Sequence, residues 1–357
     1  MGPRETISRC VVFVRQLNGL RSLAVTVYRS TGFLLIRGSN FLATVEPIIQ
    51  FMKITLIENF RAVFYIPYYA SIALGAYRNE GIEIELRASS DASKTLDTVL
   101  AGSGQVSWGG PVRIMLALEK NPQVEPVAFC EAVGRDPFFL VGRKSHKRFT
   151  PGELIGKRLA TVSEVPTPWM CLQHDLRLAG LDPGAVTRIS HRTMAENADG
   201  LRAGDVDVIQ VFEPFASQLE SEGAGSIWYS AASRGPTTYT TFNAPRAFLA
   251  REPETARAMC RALYRTQKWI AARPAAELAA VVAPYFPDLP TSLLTTCCER
   301  YTALGVWNRD PVMVPGGFEW LRDAGLTSGL ITRRYSFEAC VDMRLAQDVL
   351  REDPPSI

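Results

Sequence analysis

The stretch LAGSGQVSWGGPVRIMLAL, residues 100–118, and its counterpart LRAGDVDVIQVFEPFASQL, residues 201–219, decide the fold of this chain. Each runs from a helix end through a glycine turn into a short apolar strand, residues 105–108 and 206–212, and then into a helix opened by Pro111 or Pro214. Proline at the first helical position loses no hydrogen bond, because that amide has no intrahelical acceptor, and its fixed φ suits the turn. Both helices therefore start at the carboxyl end of a strand. In open α/β sheets ligands bind at that edge, where helix amides and the positive end of each helix dipole point. Two copies predict two lobes facing one cleft.

The pattern extends in both directions. Residues 53–58 alternate polar and apolar as a strand does, 62–77 have helical spacing with Gly81 closing the turn beyond, 82–87 alternate again, and 92–100 are helical. Strand, helix, strand, helix, strand is the signature of a parallel, doubly wound sheet. Strands are expected at 126–133, 138–142, 159–162 and 186–190, a helical turn at 151–154, and a helix at 195–202. Thr167 reads as the cap of a helix with Pro168 in its first turn and its end at Ala179-Gly180. Residues 242–250 read as a strand returning to the first lobe, and 253–350 as almost wholly helical. The expected class is α/β: two doubly wound lobes around a cleft with a helical C-terminal part. Lobe 1 is 52–142 plus 243–357 and lobe 2 is 143–242, with crossings near 139–143 and 240–248 that form a hinge.

Composition narrows the function. With 357 residues, 47% hydrophobic and 21% charged, the chain can bury two cores. Lys+Arg number 39 and Asp+Glu 36, so no basic field attracts nucleic acid. Seven cysteines without a C-x-x-C pair and three histidines without metal-ligand spacing point to no metal and to reduced, mostly buried thiols. Of Cys297-Cys298, one is expected to face the core. The apolar patches near the N-terminus are cut by Arg15, Arg21, Arg29 and Arg37, which excludes a spanning helix and leaves no readable signal peptide. Residues 1–51, with six arginines and two glutamates, read as a disordered extension or as a start placed too far upstream of Met52.

Asn59-Phe60, Tyr65-Ile66-Pro67-Tyr68-Tyr69-Ala70 and Gly75-Ala76-Tyr77-Arg78-Asn79-Glu80-Gly81-Ile82-Glu83-Ile84 together resemble the opening of the type 2 solute-binding proteins of nitrate, sulfonate, taurine and thiamine-pyrimidine uptake. Leu154-Ile155-Gly156-Lys157-Arg158-Leu159-Ala160 is similar to that family's second-lobe opening, and Val211-Phe212-Glu213-Pro214-Phe215-Ala216 to its cleft segment. The resemblance covers about residues 52–345. It implies a periplasmic-binding-protein-like type 2 fold, a periplasmic location, a monomer with no cofactor, a small-molecule ligand and an ABC transporter permease as partner. It further implies a thiamine pyrimidine precursor, an organic sulfonate or an aromatic anion as ligand, with the pair after strand one meeting it. A fungal pyrimidine synthase resembling these proteins holds pyridoxal phosphate on a lysine after strand three. Here Ser107-Trp108-Gly109-Gly110-Pro111-Val112-Arg113-Ile114 has neither lysine nor histidine, which disfavours that biosynthetic enzyme.

Within the cleft, Gly109 and Gly110 permit close backbone approach, or serve only a tight turn. Glu213 either caps the helix after Pro214 or accepts from a ligand amine. Phe60, Phe64, Tyr65, Trp108 and Trp169 offer ring faces near strand ends, although aromatics are more often core. Arg61 can pair with an anion or be solvated, and Tyr239 lies in a hydroxyl-rich segment near the second crossing. Asn59, Ser90, Glu131 and Thr167 complete the expected ligand-facing set. Cys171 and His174 share a helix face, as a thiolate and its base require, and a sulfinate-cleaving hydrolase on a similar scaffold makes this pair the enzymatic alternative.

Overall fold

The computed structural model describes residues 51–146 and 148–357. Apart from Phe51, the expected N-terminal extension lies outside them, as does Cys10. Among the described residues there are ten strands: β1 (Met52–Glu58), β2 (Ile82–Ala88), β3 (Val106–Gly109), β4 (Pro126–Val133), β5 (Phe139–Gly142), β6 (Arg158–Ala160), β7 (Thr187–Ile189), β8 (Val208–Val211), β9 (Ser226–Ser230) and β10 (Thr240–Pro245). They form two five-stranded sheets with orders β2-β1-β3-β10-β4 and β7-β6-β8-β5-β9. The architecture is the expected two-lobed α/β class.

The sheets are mixed rather than parallel. β1 runs parallel to β2 and β3, and β6 to β7 and β8, but β10 is antiparallel to β3 and β4, and β5 to β8 and β9. The reason is topological. β5 and β10 carry the chain across from the other sheet, so each begins at the edge where its parallel neighbours end and must run backwards.

Eight helices matter here: α1 (Ile66–Ala73), α2 (Val112–Lys120), α3 (Thr167–Leu178), α4 (Met194–Ala203), α5 (Phe215–Ser221), α6 (Pro253–Ala272), α7 (Thr291–Ala303) and α8 (Pro315–Thr327). Several local expectations are corrected. Pro111 and Pro214 cap α2 and α5 instead of occupying their first turns, and Pro166, not Thr167, caps α3, its carbonyl accepting from the Met170 amide. The helix expected over 62–77 breaks at Gly75, which adopts φ 68°, a left-handed conformation that glycine enters without a Cβ clash. Residues 246–251 are helical, so β10 ends at Pro245. β9 was not expected: all five of its residues are half-buried and show no alternation. Cys297 and Cys298 are both fully buried, and the six described cysteines are unpaired thiols.

The first sheet's core is aromatic. Trp108 is fully buried and stacks on Tyr68 at 4.7 Å and 3°, with Phe242 against Tyr68 at 4.9 Å. The helical C-terminal part returns to the second sheet through α8, which packs on α3. A buried charge network sits beside that contact. Arg234 donates to Asp136 at 2.9 Å and to Asp175 of α3, and its guanidinium lies 4.6 Å from the ring centre of Trp320 of α8. No helix of the described residues is long and apolar enough to cross a membrane.

Candidate functional site

A cavity of about 160 Å³ lies where the segments after β1, β3 and β6 converge. Asn59, Phe60, Phe64 and Tyr65 come from the turn after β1, Gly110 and Arg113 from the start of α2, Tyr239 from the approach to β10, Phe138 from the approach to β5, and Glu164 and Thr167 from the lead into α3. The rings brace one another: Phe64 tilts on Tyr65 at 4.2 Å and meets Tyr239 edge-on at 5.9 Å, and Phe138 tilts on Tyr239 at 6.3 Å. An apolar cavity of about 150 Å³ accepts benzene, so this one holds a single ring with small substituents.

Polar groups converge on the same space. The buried Asn59 donates to the Tyr65 hydroxyl at 3.1 Å through one end of its amide, while the other end has no partner among the described residues. Burial pushes the Tyr65 hydroxyl up to about 12, so it stays a neutral donor and acceptor. Gly110 needs its missing side chain: a Cβ there would lie 2.9 Å from the Tyr239 carbonyl oxygen. Arg113 is the residue the sequence reading passed over. Its half-buried guanidinium lines the cavity, makes no hydrogen bond or ion pair with another described residue, and is held below its ordinary pKa by burial. A cation in the first turn of a helix also opposes the helix dipole. Asp91 and Asp97 favour the charge from a distance, but no carboxylate contacts it.

Of the expected ligand-facing residues, Asn59, Phe60, Tyr65, Gly110, Thr167 and Tyr239 meet at this cavity. Arg61, Ser90 and Glu213 line a second, wider chamber that adjoins it. Arg61 is occupied there, paired with Glu58 at 2.7 Å. Glu213 is fully buried and caps α5, accepting from the Ser217 amide and hydroxyl at 2.9 Å each, with Arg300 at 3.2 Å. Its capping role is the one realised. Trp108 is corrected outright, since the strand's alternation turns it into the core against Tyr68. Gly109 lines neither space, and its carbonyl accepts from Thr241 and Asn243. Glu131 is buried beside Asn308, where burial raises its carboxyl to about 8. Trp169 instead carries Arg188 on its face at 4.7 Å.

The nucleophile–base pair is not formed. Cys171 is fully buried, lines neither chamber, and burial beside Asp136 pushes its thiol well above the usual range. His174 bonds Thr327 at 2.9 Å and meets Trp320 edge-on at 5.0 Å. A thiol kept protonated, away from a cavity and from a free base, is a poor nucleophile.

Two mixed sheets with a ring-lined cavity at their facing edges define a two-lobed small-molecule-binding scaffold. The chain belongs to the NMT1-like family, whose model matches residues 60–283. It is 24% identical over 302 residues to YtlA of Bacillus subtilis, named as a candidate binding protein, covering 84% of this chain and 90% of YtlA. The alkanesulfonate-binding protein SsuA of Xanthomonas axonopodis pv. citri, solved bound to MOPS, superposes with a TM-score of 0.63 at 16% identity over 82% of this chain and 98% of SsuA. The desulfurization enzyme DSZB shares the fold too, with a TM-score of 0.61 at 13% identity over 85% of this chain and 99% of DSZB.

Proposed function

We propose that this chain is the solute-binding component of an ABC importer and that its ligand is a ring-bearing organic anion, a sulfonate or a carboxylate, held in the cavity between the lobes. The observation that carries the reading is Arg113, a cation with no described partner facing a cavity walled by aromatic rings. An anion there offsets both the desolvated guanidinium and the unfavourable helix end, whereas a neutral or cationic pyrimidine leaves the charge uncompensated. The MOPS bound to SsuA, itself a ring-bearing sulfonate, is consistent with this class of ligand.

Lobe 1 comprises 52–142 plus 243–357 and lobe 2 comprises 143–242, and closure about the two crossing strands traps the ligand for delivery to a permease outside the cytoplasm. Binding occurs without chemistry, because Cys171 lies apart from the cavity. A thermal-shift screen of aromatic sulfonates, aromatic carboxylates and aminopyrimidines tests the reading. A ligand at 100 times its Kd stabilises the fold by ~2.7 kcal/mol, so anions should raise the melting temperature and aminopyrimidines should not. Stabilisation by aminopyrimidines alone overturns it.

A further inference from the structure

The second chamber adjoins the ring-lined cavity, with Asn59, Phe60 and Glu164 lining both. Its walls are aromatic, Phe60 lying parallel to Phe212 at 6.0 Å and 5°. Its uncommitted charges have the opposite sign to Arg113. Arg61 is taken up by Glu58 and by the Tyr285 carbonyl at 2.9 Å, and Glu213 is taken up by Ser217 and Arg300. That leaves Glu164 and Asp288. Glu164 accepts from the Met194 amide at 2.9 Å through one oxygen, and both it and Asp288 stand exposed, Asp288 at the second chamber's rim. Neither forms an ion pair with another described residue. At the boundary between the chambers sits Asn59, 3% exposed, with one end of its amide unpartnered.

An unpaired cation in one chamber, one unpaired carboxylate shared by both chambers and another at the rim of the second, and an unsatisfied buried amide oxygen at their boundary match a molecule that carries both charges. We propose that the ligand is dipolar: its acidic group lies against Arg113 and its protonated amine enters the second chamber, with Glu164 as principal counter-ion and the unpartnered Asn59 amide oxygen accepting from the same amine. This inference rests on the anion reading above. It adds a second recognition element, on lobe 2, that rewards closure around a ligand reaching both chambers.

The test uses the full chain and two probes of like shape, para-(aminomethyl)benzoate and para-toluate, which differ in the cationic amine. Calorimetric titration should find the amine-bearing probe about tenfold or more tighter, the effect of one charge-assisted hydrogen bond. Glu164→Gln keeps an oxygen for the Met194 amide, so it should cut that preference to about twofold; because Glu164 also lines the anion's cavity, para-toluate should bind no more weakly than before. Asp288→Asn, at an exposed position, should reduce the preference by about twofold and carries the comparison should Glu164→Gln fail to fold. Equal affinity for the two probes, or a preference that survives both substitutions, overturns the dipolar ligand. If Arg113→Met weakens both probes alike while no amine preference exists, the dipolar inference fails and the anion reading stands. Binding of neither probe, or binding indifferent to Arg113→Met, overturns both.

Discussion

Replacing Arg113 with methionine separates what the guanidinium does for binding from what it costs the fold. The side chain is half-buried, burial depresses its pKa, and the nearby Asp91 and Asp97 offset only part of that without pairing with it. Methionine fills a similar unbranched volume without a charge to desolvate. Partial desolvation of one unpaired charge costs about 1–2 kcal/mol, well below the several kcal/mol of a fully buried ion, because water still reaches part of the group. In a domain of this size each kcal/mol moves the melting temperature by about 2–4 °C, so Arg113→Met should melt a few degrees higher without ligand. Binding should move the other way. Charge-assisted hydrogen bonds contribute about 1.5–3 kcal/mol, so affinity for para-toluenesulfonate should fall roughly 10- to 100-fold. Scanning calorimetry measures the first effect and titration calorimetry the second. A variant that melts lower and binds as tightly as the original refutes the reasoning, because the guanidinium would then be a structural group.

Trp108→Ala should destabilise the protein by about 3–5 kcal/mol in denaturant titration, the range for a buried aromatic removed from a packed core, whether or not ligand is present. Glu131 is raised from 4.5 to about 8 by burial, so the folded state holds a proton that the unfolded state releases. Its stabilising contribution is complete below about 4.5 and is lost as pH rises towards about 8; stability measured across that window should fall less steeply in Glu131→Gln, with the similarly raised Asp136 and Glu213 keeping part of the slope. Cys171→Ala should leave anion affinity within about twofold, since the thiol lines neither chamber, and chromatography should find no product on long incubation with or without the substitution.

The strands with one buried and one wetter face were legible in the sequence. β1 and the opening of β2 alternate because they do lie between core and solvent, and the two proline-led helices announce the cleft edge. β9 was not, because Ser226–Ser230 is half-buried on both faces and no period-2 signal survives. Antiparallel β5 and β10 are set by the route of the chain between sheets, which local pattern does not encode. The same limit misplaced Trp108: composition beside a glycine pair suggested a ligand face, while strand alternation against Tyr68 turns the ring inward. Arg113 carried a signal that could have been used. A cation two residues after a helix-capping proline stands at the wrong end of the dipole, a local conflict that calls for a compensating anion.

Arg234 limits how such a molecule can bend. Breaking a buried ion pair by separating its partners costs about 3–5 kcal/mol, much of what a micromolar ligand supplies on binding. The guanidinium grips Asp136 near the crossing and Asp175 on α3 while Trp320 of α8 covers it. A swing that tore this knot apart would consume about half of its own driving force. The closure proposed above therefore has to turn about a line close to Arg234, the pin of the door.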